Sequence, residues 1–109
     1  MSSKDALKKI NLYDTLVNEL ITALELSVVE GGIMNNGEIM EWHDLESVSL
    51  FNPIPYENDR IDGVLLFGDG TIEFHLENDG DALNWAEFSN DYIKMIIDEL
   101  QGKQCSKFA

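Results

Sequence analysis

Basic residues are almost missing from the middle of this chain. Between Ile10 and Ile93 there is one, Arg60, against 18 carboxylates, a net of −17 over that stretch. The other cations stand at the two ends: Lys4, Lys8 and Lys9, then Lys94, Lys103 and Lys107. The full 109 residues net −14. Such a surface repels nucleic acid and anionic membrane and attracts basic partners. Direct nucleic-acid binding and membrane binding are therefore excluded as expectations. Phosphate chemistry, which relies on Lys or Arg to neutralise developing charge, has only Arg60 to draw on in this stretch.

Cysteine is scarce too. Cys105 is alone, so no internal disulfide forms, which favours a reducing compartment and a cytoplasmic location. Nothing near Cys105 in sequence would lower its pKa, so it reads as a bystander thiol. No apolar run approaches the roughly 20 residues of a membrane span. The opening MSSKDALKKI lacks the apolar core of a secretory signal. Prolines number two, Pro53 and Pro55, both in one short segment.

Familiar chemical motifs are absent as well. There is no H-E-x-x-H or C-x-x-C for zinc, no G-x-S-x-G elbow, no G-x-x-x-x-G-K-[ST] and no G-x-G-x-x-G. Testing the Asp-rich loops against the EF-hand spacing puts His75 or Arg60 in ligand positions, so Asp69-Gly70 and Asp79-Gly80 read as turn chemistry. The expectation is no cofactor, no metal ion and no catalytic residue.

What is present is a core. Hydrophobic residues make up 44% of the chain, with five Phe, three Tyr and two Trp. An acidic disordered chain would be poor in aromatics, so this is read as one folded domain, residues 1–102, with 103–109 a frayed tail. Its folding works against self-repulsion. Raising NaCl from low salt to about 0.3 M is therefore expected to raise the melting temperature, because screening shortens the reach of these charges. A flat or falling value would refute the self-repulsion argument.

From Lys4 to about Val28 the apolar residues recur at helical spacing: Leu7, Ile10, Val17, Leu20, Ile21, Leu24 and Val28. A second set, Leu12, Leu16, Ala23 and Leu26, widens the face. Gly31-Gly32 is the expected stop. So long and apolar a helix either overhangs the sheet and pairs with another copy, giving a homodimer, or packs between the sheet and the C-terminal helix.

The middle reads as strands. Ile33-Met34 and Glu38–Trp42 flank the turn Asn35-Asn36-Gly37. Leu45–Phe51 follows and is expected to end at Asn52-Pro53-Ile54-Pro55, since proline donates nothing to a ladder. Ile61–Glu77 is a hairpin turning at Gly68-Asp69-Gly70, with Ile72, Phe74 and Leu76 on one face and Glu73, His75 and Glu77 on the other. Asn84 with Glu87 resembles a capping box opening a helix that carries Trp85, Phe88, Tyr92, Ile93, Ile96, Ile97 and Leu100 and stops at Gly102. The fold class is α+β: a long N-terminal helix, a meander of three to five antiparallel strands and a C-terminal helix, with both helices on one face of the sheet.

Two sets of residues are singled out for partner binding. Glu73, Glu77, Asp79 and Asp81 form an acidic row and loop on the wet side of the hairpin. Ile54 and Tyr56, on the proline-stiffened loop, either present an apolar knob at low entropy cost or tuck under the loop. Arg60 is expected to pair with Asp59 and Asp62. The leading functional expectation is a non-enzymatic module binding a basic protein surface, such as an inhibitor, immunity-type or regulatory protein. The alternative is a self-associating structural protein of a larger assembly. A third reading is a small enzyme using His43 with Asp44, or His75 with Glu73. It rests only on their adjacency, and His43 meets Asp44 only if the two lie in a turn.

Overall fold

The computed structural model describes residues 3–102; the tail and Cys105 lie outside the described residues. The chain begins with helix α1 (Ser3–Ala23). A three-stranded sheet follows, β1 (Ser27–Val29), β2 (Gly32–Asn35) and β3 (Glu38–Ile39). A four-stranded sheet comes next, β4 (Leu45–Tyr56), β5 (Asp59–Phe67), β6 (Ile72–Leu76) and β7 (Ala82–Asn84). A 3₁₀ turn (Trp85–Glu87) then leads into helix α2 (Asn90–Leu100). The α+β class and the helix–strands–helix order are as expected. The strands divide between two antiparallel meanders instead of forming one.

The first helix is shorter than its apolar pattern. It closes at a Schellman motif built without glycine: Leu26 N–H donates to the Ile21 carbonyl (2.9 Å) and Glu25 N–H to that of Thr22 (3.3 Å). Glu25 takes the left-handed conformation, φ +57°. Leu26 drops into the core and Val28 leaves the helix for β1. Gly31 instead turns the β1–β2 hairpin together with Glu30, and Gly32 opens β2 opposite Val29. A non-glycine residue in the left-handed region costs roughly 1 kcal/mol, so Glu25→Gly is expected to stabilise the domain by about 0.5–1 kcal/mol. A urea midpoint that failed to rise would refute this account of the helix end.

The prolines do not stop β4. Its register with β5 slips between Ser49 and Ile54, then resumes with Ile54 opposite Ile61 and Pro55 opposite Arg60. β4 is an edge of its sheet, where proline costs no ladder bond on the free side. Leu50 and Ile54, four residues apart, keep to one face of the strand across the slip and both enter the core. Helix α2 braces the irregular stretch: Glu99 Oε1 accepts the Asn52 N–H at 2.8 Å. Glu99 is the one buried charged side chain among the described residues, and its Oε2 has no hydrogen-bond partner there.

The core gathers Leu16 and Leu20 of α1, Val64 and Leu66 of β5, Ile72 and Phe74 of β6, and Ile93 and Ile96 of α2, all fully buried. Each such side chain contributes about 1.5–3 kcal/mol by leaving water. The expected capping box lies one element early. Asn84 accepts the Ala86 N–H (2.9 Å) and caps only the 3₁₀ turn. Phe88 then runs extended so that its ring enters the core, and α2 starts after Ser89. Lys9 secures this junction, donating to the carbonyls of Ala86 (2.8 Å) and Phe88 (2.9 Å). No helix among the described residues is long and apolar enough to cross a membrane.

Candidate interaction surface

One end of the large sheet is built from two turns, 57–58 between β4 and β5 and 77–80 before β7. Asp59 fastens them together. Its Oδ1 accepts the N–H of Arg60 (2.7 Å) and of Asn78 (2.8 Å), and its Oδ2 accepts that of Asp79 (2.9 Å). These bonds, that from Asn78 foremost, hold its carboxyl below the ordinary aspartate value of 3.8. A depressed folded value means stability present above pH 3.8 and lost as pH falls through the folded value. Asp59→Asn is therefore expected to be less stable than the parent at pH 5–7, with the gap closing below about pH 4. Parallel urea titrations across that range check it; a gap independent of pH would refute the role of the charge.

The clasp gathers Glu57, Glu77, Asp79 and Asp81 at this end, all exposed. Tyr56 borders the same end. Burial first, then the charges of Glu57 and Glu87, push its hydroxyl above the ordinary tyrosine value. Its ring packs on Phe88 (centroids 4.8 Å apart) and Tyr92 (5.1 Å). Of the residues singled out from the sequence, Glu77, Asp79, Asp81 and Tyr56 thus share a region. Ile54 does not: at 4% exposed it belongs to the core and offers no knob, because β4 continues through the prolines and its alternation sets Ile54 on the same inward face as Leu50, opposite Ile61. Glu73 lies away on the outer face, in register with Leu65 and Asn84.

Arg60 pairs with Glu77, not with Asp59 or Asp62. Both guanidinium bonds, Nε to Oε2 and Nη2 to Oε1, measure 3.0 Å. Asp62 is instead taken by His75, Nδ1 to Oδ1 at 2.6 Å. A bulge in β5 explains this partner. Register slips between Ile61 and Gly63, so Asp62 and Gly63 together face His75. His75 was expected beside Glu73; the bulge supplies a cross-strand carboxylate in its place. Around the pair is a shallow depression of about 310 Å³, lined among others by Ser47, Ser49 and Leu65. With Nδ1 engaged, Nε2 is the ring nitrogen left for a ligand. No nucleophile is hydrogen-bonded to His75 among the described residues, so the pair has a base and its orienting carboxylate without the third member of a triad.

His43 and Asp44 do lie in a turn, residues 41–44, between the two sheets. Asp44 N–H donates to the Glu41 carbonyl (3.0 Å), and Glu41 N–H to Asp44 Oδ2 (3.0 Å). His43 Nε2 sits 3.4 Å from Glu41 Oε2 and 3.7 Å from Asp44 Oδ1. These three are the only group of metal-type donors within 4.8 Å of one another among the described residues, and all are exposed. Solvated carboxylates on an open turn give a cation only weak hold. Trp42, on the same turn, is 73% exposed and meets His43 edge to face. Compared with known protein families, curated proteins and solved structures, the chain matches none.

Proposed function

We propose that this protein is a non-enzymatic acidic module that binds a basic protein surface, as an inhibitor, an immunity-type protein or a regulator. The observation that carries the reading is the state of Arg60. The single cation between Ile10 and Ile93 is already closed by two bonds to Glu77, so this stretch offers a partner no free Lys or Arg. The acidic end formed by Glu57, Asp79 and Asp81 supports it, because the Asp59 clasp presents these carboxylates on ordered turns. Electrostatic complementarity of this kind mainly raises the association rate and makes it fall with salt. Residence in the cytoplasm goes with this reading. The test is capture of a partner, then titration of the purified complex at rising salt. Weakening with salt is expected, together with slower association for Glu57→Gln/Asp79→Asn/Asp81→Asn. Salt-independent affinity would overturn the reading.

A second reading, self-association through α1, is favoured by Leu7 (61% exposed) and Ile10 (56%), an apolar pair three residues apart near its start. Light scattering decides it: a monomer at high concentration rules it out, and a dimer broken by Leu7→Glu/Ile10→Glu supports it.

A further inference from the structure

We infer that the surface around Trp42 is the docking point for an arginine side chain of the basic partner. This rests on the acidic-module reading and adds a place and a recognition chemistry to it. Beside the 41–44 turn lies a depression of about 210 Å³. Its lining combines the carboxylates Glu38, Asp44 and Glu46 with the apolar side chains of Ile39 (50% exposed) and Leu45 (43%). No Lys or Arg lines it. An arginine is the complement of that lining: an aliphatic stem for the apolar part and a planar cation for the carboxylates. Asp44 joins the depression to the turn that carries Trp42. Guanidinium stacks on indole and engages carboxylates two bonds at a time, which a lysine ammonium does not.

The turn that carries Trp42 is braced along its backbone. The two bonds between Glu41 and Asp44 close it. A third, from Gly68 N–H to the Asp44 carbonyl (2.9 Å), ties it to the β5–β6 hairpin. With the backbone already ordered, contact has only the two side-chain torsions of the tryptophan to fix, and tryptophan is among the residues that dominate interfaces. An exposed tryptophan on a braced turn, joined through Asp44 to an anionic depression with a small apolar part, has those properties together. The acidic end at Glu57, Asp79 and Asp81 steers the partner, and the Trp42 surface grips it.

The probe is hexa-arginine, titrated at low salt into ¹⁵N-labelled protein, with hexa-citrulline as the uncharged equivalent. The indole of Trp42 and the amides of Glu38 and Glu46 are expected to shift first. Trp42→Ala, at an exposed position that leaves the fold intact, is expected to weaken binding about tenfold, and Glu38→Gln/Glu46→Gln similarly. Glu57→Gln/Asp79→Asn/Asp81→Asn is expected to lose less. Unchanged affinity in Trp42→Ala, with the main loss in the triple variant, overturns the docking point and leaves the acidic module standing. Equal binding of hexa-citrulline also overturns it, since charge then plays no part. Absence of any hexa-arginine binding at low salt counts against both the docking point and the acidic module.

Discussion

Gly68→Ala is expected to cost about 3 kcal/mol or more, an unusually large loss for adding one methyl group. A Cβ at this position would stand 2.0 Å from the Glu41 carbonyl oxygen, 2.8 Å from its carbon and 3.1 Å from Met40 Cβ. Two of those neighbours are backbone and cannot rotate away. The Glu41–Asp44 turn cannot retreat either without losing the bond from Gly68 N–H to Asp44. The two sheets must therefore part locally or the hairpin must bend. Gly80→Ala is the control. Gly80 has φ +78° with open space around it, so that substitution carries only backbone strain, roughly 1 kcal/mol. Urea denaturation of both variants decides the matter: a Gly68 loss no larger than the Gly80 loss would refute the close approach. Because the same turn carries Trp42, Gly68→Ala should also weaken hexa-arginine binding in whatever fraction stays folded.

The parts of this fold that were legible are those set by periodicity and by turn residues. Ile72, Phe74 and Leu76 alternate with polar neighbours, and all three are buried. Gly68-Asp69-Gly70 turns the hairpin between them and β5; Asp69 Oδ1 accepts the Thr71 N–H at 2.9 Å, the local bond expected of aspartate in a turn. What was not legible depends on tertiary context. The stop of α1 is carried by Glu25, a residue type that does not advertise a left-handed cap, while Gly31-Gly32 farther on does. β4 passes through Pro53 and Pro55 because it is an edge, and a sequence does not say which strand will be one.

The candidate site divides in the same way. Carboxylates around Asp79 were legible as a loop; that Asp59 would bind its backbone from another turn was not. His75 and Asp62 are 13 residues apart and meet through a bulge that no residue pattern announces. Lys9 stands in the sequence only as one of the terminal cations, yet its ammonium closes a turn near the far end of the chain. Glu99 stands between Asp98 and Leu100 with nothing to mark it as the carboxylate that goes inside. In each case the partner is long-range, and local spacing holds no record of it.

Phe88→Ala is expected to cost about 3–5 kcal/mol and lower the melting temperature by roughly 15–30 °C. Phe88 is 1% exposed and its ring joins three elements. It packs on Phe74 of β6 and Tyr56 of β4, each with centroids 4.8 Å away, and on Tyr92 of α2 at 6.3 Å. The loss is that of the ring alone, since the Phe88 carbonyl that accepts Lys9 survives in the variant. Stabilities of domains this size are about 5–15 kcal/mol, so Phe88→Ala leaves a marginal fold. Phe88→Leu, which keeps most of the volume, should cost under about 1.5 kcal/mol beyond the lost ring contacts. A Phe74→Ala/Phe88→Ala cycle should show coupling of about 0.5–1.5 kcal/mol for that aromatic pair. The consequence reaches the surface. Tyr56 loses one of its two ring neighbours in Phe88→Ala, and Tyr56 borders the turns that gather Glu57 and Asp79. Amides of residues 56–59 are therefore expected to lose hydrogen-exchange protection before those of the 41–44 turn. Equal protection at both places would mean that the aromatic cluster does not support the acidic end.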